Sequence, residues 1–415
     1  MPQRAPYTVP PRAIVDADAC IIGGGIAGLW TLDALTRAGY RAVLIERTAL
    51  GDGQSIWSQG IIHSGLKYTL TGSLTPAARA IRDMPERWSA ALAGAAGSDG
   101  PDLRSAGVRS PHCWLWQTDS LSSRAGMIGA RAGLRIAPVV VPIEDRPEAL
   151  RDCPGTVARL DEPVIDVASV IGALGALHAE RIIRADIGPG DLQPGTLGFA
   201  HTIRASESIA IRPRWIVIAA GNGGEKLRAM LGVTAKKMQV RPLRMVMVRG
   251  DHPMVHGHCV DGSATRVTIT SAKDAAGRTV WQVGGDLAER GASMDPDELL
   301  TLARAELAAV LPGVDLSRCE FATYDAPRAE AKMRFGSRPT GPEVLIDQRF
   351  ITVWPTKLAL APVAADMVVK AISIAGVRFD GPIPELPDAP RPGVASPPWD
   401  DPRAVWTPAA ELGAR

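Results

Sequence analysis

Gly23, Gly25 and Gly28 stand between an apolar run ending at Ile22 and a stretch able to form a helix, and Glu46 follows Gly28 by 18 residues. This spacing suits a bound dinucleotide. Gly23 allows the tight turn, Gly25 leaves bare backbone for the pyrophosphate, and Gly28 lets the helix lie close on the strand. The first helical residues, Ile26 and Ala27, then present their N–H groups and the positive end of the helix to phosphate. Glu46 closes the apolar segment 42–46 and offers a carboxylate to a ribose 2′-hydroxyl, a choice that disfavours a 2′-phosphate. These residues alone leave NAD and FAD both open.

The elements that must position them follow from the same stretch. Residues 26–38 read as the helix, Gly39 as its left-handed stop, and 41–46 as the second strand. Far downstream, 214–223 is an apolar run ending in the small residues Ala219, Ala220, Gly221, Asn222 and Gly223, which suits a parallel strand covered on both faces. A short strand is expected over 181–187, after a helix over 166–180 capped by Asp166. Segments 244–249, 265–270 and 280–283, separated by turn residues, read as an antiparallel sheet. A helix then opens with Asp295, Pro296 and Glu298 in capping-box spacing. The chain returns to the first pattern with a strand over 350–354, a short loop and a helix over 362–374. The fold class expected is α/β, a Rossmann-like nucleotide-binding domain interleaved with an α+β substrate domain built on an antiparallel sheet. Residues 15–80, 150–230 and 336–375 are assigned to the first domain and 81–149 and 231–335 to the second. The proline-rich stretch 382–415 is expected to be an extended tail, wrapped on the surface or disordered.

Composition narrows the class of partner. With 46 Lys and Arg against 44 Asp and Glu, a net charge of +2 gives no reason to expect nucleic acid as a partner. The five cysteines are scattered without a CxxC pair and read as free thiols in a reducing compartment. No stretch of about 18 apolar residues suggests a transmembrane segment, and the proline-containing amino terminus does not resemble a signal peptide. A cytoplasmic location is the expectation.

The interleaving of an amino-terminal fingerprint, a mid-chain strand ending Ala-Ala-Gly and a late strand-loop-helix resembles the D-amino-acid-oxidase-like superfamily of FAD enzymes. Within it, Ile61-Ile62-His63-Ser64-Gly65-Leu66-Lys67-Tyr68 is similar to the Ile-His-Gly-Gly-Leu-Arg-Tyr segment of FAD-dependent glycerol-3-phosphate dehydrogenases and to the related segment of L-2-hydroxyglutarate oxidases. Gly336-Ser337-Arg338-Pro339 resembles the Gly-Val-Arg-Pro of the former, and Ile351 to Leu358 its Ser-Val-x-Gly-Gly-Lys-Leu-Thr. Here Pro355-Thr356 replaces the paired glycines and Lys67 the arginine, and the chain has no room for the large carboxy-terminal domain of the aerobic enzymes.

The resemblance implies FAD as cofactor and oxidation of a CH–OH group of a small anionic substrate, glycerol-phosphate-like or a 2-hydroxy acid, by hydride transfer to flavin N5. By this resemblance the loop 52–60 runs along the cofactor, with Arg47, Gln54, Ser55, Ser58, Gln59, Gly60 and Ile62 beside it. Ile187 touches the adenine, and Ala220, Gly221, Pro355, Thr356, Lys357 and Leu358 complete the cradle. His63 is the candidate general base, because an imidazole can take a hydroxyl proton near neutral pH. Arg338 is the candidate anion clamp, with its planar fork matched to carboxylate or phosphate, and Lys67 and Tyr68 are its candidate helpers. Lys357, ahead of a helix, would stabilise negative charge on reduced flavin.

Other readings remain at this level. An amino acid or secondary amine could be oxidised at CH–NH by the same fold and clamp. A flavin-binding subunit needing a partner for turnover, and an NAD-linked dehydrogenase, are further alternatives. The electron acceptor, whether oxygen, a quinone or a protein, is left open. His252, His256, His258 and Cys259 have the residue types of a metal site but no ligand spacing on a recognisable helix, so no metal is expected. Trp114, Trp116 and Trp281 are read as pocket or core.

Overall fold

A computed structural model describes residues 10–64, 81–95, 97–118, 138–196, 198–233, 236–261, 264–376, 378–381, 386 and 389–413. Lys67 and Tyr68 lie outside the described residues. Along the chain the strands that matter here are β1 (Ala13–Ile22), β2 (Ala42–Glu46), β3 (Cys113–Gln117), β4 (Val157–Leu160), β5 (Ile182–Arg184), β6 (Ile209–Ile218), β7 (Arg244–Gly250), β8 (Gly257–Asp261), β9 (Ala264–Lys273), β10 (Thr279–Gly284), β11 (Glu320–Asp325), β12 (Arg328–Ala331), β13 (Glu343–Asp347) and β14 (Phe350–Trp354). The helices are α1 (Ile26–Arg37), α2 (Met84–Leu92), α3 (Val167–Leu177), α4 (Pro296–Val310) and α5 (Ala361–Ser373).

One sheet has the order β13-β14-β6-β1-β2-β5. Along this path the pairs are parallel except the β13–β14 hairpin. In β1, Ala19 and Ile21 pack toward α1 and α5, while Cys20 and Ile22 pack on the opposite face with Val43, Ile45 and Ile218. Both faces are covered, which is why the run is apolar without alternation. Buried from Ile26 to Leu35, α1 is held between this sheet and α5. It ends where Gly39 adopts φ +81, and α3 begins at Asp166, whose carboxylate accepts from the N–H of Ser169 at 2.9 Å.

The second sheet runs β11-β7-β10-β9-β8-β3-β4 through its centre. Its pairs are antiparallel except that β3 and β8 lie parallel. The apolar face of α4 packs on it, with Leu299, Leu300, Leu307 and Val310 buried beside Val246, Ile269 and Trp281. At the head of α4 the cap is Asp295 bonded to the N–H of Asp297.

Two segments fall across the expected division at residues 81 and 150. Helix α2 joins the first core, because Trp88 packs against Trp30 at 4.6 Å and donates its indole N–H to Ala359 O at 2.9 Å. Strand β4 belongs to the second sheet, paired with β3. The carboxy-terminal stretch wraps on both units: Leu50 donates its N–H to Gly393 O and accepts from the N–H of Ala395, and Thr407–Pro408 adds to the edge of β11. Among the described residues, no helix is long and apolar enough to cross a membrane.

Candidate active site

A cavity of about 800 Å³ opens between the two sheets. Its cofactor end is built from backbone. At φ +118, Gly23 lies so close to β6 that a Cβ there would come within 2.4 Å of Ala219 O. A Cβ on Gly28 would meet Gly23 O at 1.9 Å. Gly28 therefore fits helix to turn and does not line the cavity, whereas Gly23, Gly25, Ile26 and Ala27 do. Gly25 caps α1 without a side chain, and no acid stands in the first turn. That helix end can accept an anion. On the wall beside it, Glu46 takes the N–H of Gly24 at 2.6 Å and that of Thr48 at 2.9 Å. Arg47, Ile187, Ala220 and Gly221 also line the cavity.

Between the two ends, the loop 52–60 fastens the sheets to each other. Ser55 Oγ accepts from the N–H of Ile26 at 2.9 Å, and the Ser58 hydroxyl donates to Ser55 O at 2.7 Å. Gln54 accepts from the N–H of Ala329 at 3.0 Å. Gln59 donates to Thr268 O and Gln282 O, both at 2.9 Å. Both glutamines line the cavity, yet these bonds commit Gln59 to the second sheet and Gln54 to β12. Gly60, φ +74, also lines it and leaves no space for a Cβ beside Ile165 O at 2.4 Å. Ile62 is placed elsewhere, fully buried in the first core because its N–H is drawn to Pro163 O at 2.9 Å.

The other end is made of side chains from distant segments. His63 lines the cavity with its Nδ1 3.6 Å from Oε2 of Glu162, a carboxylate only 1% exposed. Oε1 of Glu162 accepts from the N–H and hydroxyl of Ser64 at 2.7 and 2.5 Å. Burial would raise this carboxyl, but His63, then His258 and Ser64, hold it down at about 2. His258 lies across the strand pair from Thr268, whose hydroxyl is 2.9 Å from its Nδ1, and its ring is 5.3 Å from that of His63.

Arg338 lines the cavity but is engaged by Glu289 at 2.6 Å. Arg241 is likewise engaged by the buried Glu330 at 2.6 Å. Between them Arg328 also lines the cavity, with no side-chain hydrogen bond or salt bridge to the described residues. Burial first, then the charges of Arg241 and Arg338, push it down to about 10, so it stays cationic near neutrality. Sequence reasoning missed Arg328 and Glu162, because Ala326-Pro327-Arg328 and Asp161-Glu162-Pro163 carry no motif and read as ordinary turns.

Trp354, Pro355, Thr356, Lys357 and Leu358 form the remaining wall, ahead of α5. Thr356 has φ +63, a left-handed conformation that suits glycine, and its hydroxyl donates to Gly341 O at 2.6 Å. The chain thus keeps at Thr356 a backbone shape natural to the paired glycines it resembles.

The histidine-cysteine group near β8 does not converge. Strand alternation turns Cys259 into the second core, away from His258. His256 accepts from the N–H of Ser271 at 3.2 Å, and the His252 ring lies tilted against Trp281 with centroids 4.2 Å apart. Trp116 and Trp281 are fully buried and belong to that core. One other grouping is drawn together among the described residues: His63, Glu162 and His258 bring ring nitrogens and a carboxylate oxygen within 4.8 Å of one another.

A doubly covered parallel sheet, a side-chain-free helix end and a glycine-lined cavity define a dinucleotide-dependent enzyme. The chain belongs to the family of FAD dependent oxidoreductases, whose model matches residues 18–345. It is 39% identical over 396 residues to a probable FAD-dependent oxidoreductase of Pseudomonas aeruginosa, PA4991, covering 94% of this chain and 99% of the relative. The crystal structure of that protein superposes with a TM-score of 0.78 at 37% identity, over 93% of this chain and 98% of the other. The fold is shared with the L-alpha-glycerophosphate oxidase of Mycoplasma pneumoniae, solved with FAD bound, at a TM-score of 0.64 and 11% identity over 92% and 99% of the two chains. Glycine oxidase of Geobacillus kaustophilus gives 0.61 and 14% over 88% and 97%.

FAD is therefore the cofactor, and the residues present fit it. Gly23 and Gly25 line the cavity with bare backbone, the first turn of α1 holds no competing carboxylate, and Glu46 stands at the end of β2.

Proposed function

We propose that this FAD-dependent oxidoreductase oxidises a CH–OH group of a small anionic substrate, glycerol-phosphate-like or a 2-hydroxy acid. The observation that carries the reading is the pairing, in one cavity, of a histidine set against a buried carboxylate with a group of three arginines, Arg241, Arg328 and Arg338, that outnumbers the carboxylates of Glu289 and Glu330 facing it. Arg328 binds the substrate's anionic group by parallel N–H bonds, and Arg338, already engaged by Glu289, borders the same wall. His63 accepts the hydroxyl proton as the carbonyl forms. Bound FAD supplies the acceptor for the hydride that leaves the same carbon. The half-buried ammonium of Lys357, ahead of α5, adds positive potential to the cavity wall.

Charge bookkeeping supports an anion. Arg241, Arg328 and Arg338 face Glu289 and Glu330, which leaves this group of described residues with one net positive charge. A neutral substrate would leave the buried Arg328 with only the shared carboxylates of Glu330 and Glu289 to answer its charge.

The test is the visible spectrum of the FAD-loaded protein under anaerobic addition of glycerol 3-phosphate, L-2-hydroxyglutarate and a panel of amino acids. Bleaching by a hydroxy compound supports the reading and names the substrate type. Bleaching by amines alone replaces it with CH–NH oxidation, and an oxidised spectrum with every donor points to a subunit that needs a partner.

A further inference from the structure

Glu162 lies on the turn between β4 and the short strand Val164–Ile165, where sequence gives it no role. The chain at 61–64 is laid along this turn by the Ile61–Val164 bridge and by the Ile62 N–H donating to Pro163 O. That alignment brings Ser64 onto one carboxylate oxygen with two bonds and turns the other toward His63. Beneath it lies an apolar cluster of Ile61, Cys113, Leu115, Leu160, Val164 and Val260. An ionised carboxylate over such a floor is costly unless it has partners, so its position needs a cause.

We propose that Glu162 is the positioning residue for His63, resting on the reading of His63 as the base. It receives the Nδ1 proton of the ring, which fixes the tautomer and leaves the lone pair on Nε2 for the cavity side. When the substrate hydroxyl gives its proton to Nε2, the ring becomes a cation and Glu162, still ionised, balances it. The O–H bond breaks and the Nε2–H bond forms while the hydride of the same carbon leaves for the acceptor that bound FAD would supply, and the Nδ1 proton stays on the ring. The titratable groups around the carboxylate are His63, His258 and Cys113, and burial keeps Cys113 a neutral thiol. His258 is held by Thr268 through Nδ1 and closes the far side of the pair.

The experiment compares the FAD-loaded native protein with Glu162→Gln, Glu162→Asp and Ser64→Ala, the last as a mild variant that keeps the carboxylate. Nitrogen-15 histidine NMR reads the tautomer and titration of His63, while anaerobic stopped flow reads flavin reduction, and metal content is measured in each protein. In the native protein His63 should be the Nδ1–H tautomer. Glu162→Gln should mix the tautomers and lower the ring's titration midpoint by about one unit. It should slow flavin reduction by about 100-fold with substrate KM little changed. Glu162→Asp should recover part of the rate, and Ser64→Ala should move tautomer and titration less, in the same direction. An unchanged tautomer and titration in Glu162→Gln overturns the proposal. So does one equivalent of divalent metal in the native protein that is lost in Glu162→Gln, since the carboxylate would then be a ligand. If no hydroxy compound reduces the native protein, the proposed reaction fails, while the NMR arm still decides the role of Glu162.

Discussion

The two ends of the cavity are built on different principles. The cofactor end is made by the absence of side chains: Gly23 and Gly25 line it with bare backbone, and Gly28 lets the helix close on the turn that carries them. The substrate end is made by side chains with charge, His63, Glu162, His258, Arg328 and Arg338, brought in from segments far apart in sequence. An error at the first end should cost the fold and the cofactor together. At the second it should cost rate or affinity in a protein that still holds FAD.

The largest expected effect is at Gly28. In Gly28→Ala the new methyl group would sit 1.9 Å from Gly23 O, a clash with backbone that cannot rotate away. Purified Gly28→Ala should carry little or no FAD by its absorbance near 450 nm and melt well below the native protein. Full FAD content would show that the turn is softer than its geometry implies. Next comes His63→Ala, expected to retain FAD and to slow flavin reduction by about 10²–10⁴-fold. A rate within threefold of native would remove His63 from the chemistry and blur the distinction between the ends.

Arg328 and Arg338 sharpen the comparison inside the substrate end. Removing a charged hydrogen-bond donor from a bound anion costs about 1.5–3 kcal/mol, roughly 10- to 150-fold in affinity. Arg328→Met should therefore raise KM or Kd by that factor. Arg338→Met should do less, because Glu289 already engages that guanidinium. The reverse order would return the clamp to Arg338, and affinity titrations with an unreactive anionic analogue decide it.

Legibility followed the same division. The cofactor end was readable because the glycine spacing lies within one strand-turn-helix unit, and β1, α1 and β2 formed close to where their periodicity set them. Glu162 and Arg328 were not readable, because their meaning comes from strand pairings such as Ile61 with Val164 and from the loop 52–60 reaching β12 through Gln54. Helix α2 was assigned to the wrong side because the partner of Trp88 is Trp30, more than 50 residues earlier. The metal-like run at 252–259 failed as a site because it is a strand and the loop before it, where alternation parts His258 from Cys259.

A smaller effect separates the second sheet's core from its cavity face. His256 is buried and accepts from Ser271, and burial, then the charges of Arg109 and His112, lower it from 6.5 to about 4. Its folded value is depressed, so its contribution to stability is complete above the unfolded value of about 6.5 and is lost as pH falls toward 4. The loss should reach on the order of 3 kcal/mol if the ring remains buried. Melting temperature should fall across that window, and His256→Gln, which keeps an acceptor for Ser271, should flatten the fall. An equal slope in the variant would assign the acid sensitivity to other groups.

The smallest effect tests the point where the two styles of construction meet. Thr356 keeps a glycine-like φ of +63 with a β-branched side chain, and the strain of about 1–3 kcal/mol is offset in part by its hydrogen bond to Gly341 O. In an ordinary strand, glycine is less stable than alanine by about 0.5–1 kcal/mol. At this position the order should invert. Thr356→Ala loses the bond and keeps the strain, so it should be destabilised by about 1 kcal/mol. Thr356→Gly loses the bond but sheds the strain, and should fall within about 1 kcal/mol of native. Denaturant unfolding of the two variants reads the order directly. If alanine is the more stable, the Pro355-Thr356 wall has relaxed to a shape of its own, and its likeness to a paired-glycine loop ends at the sequence.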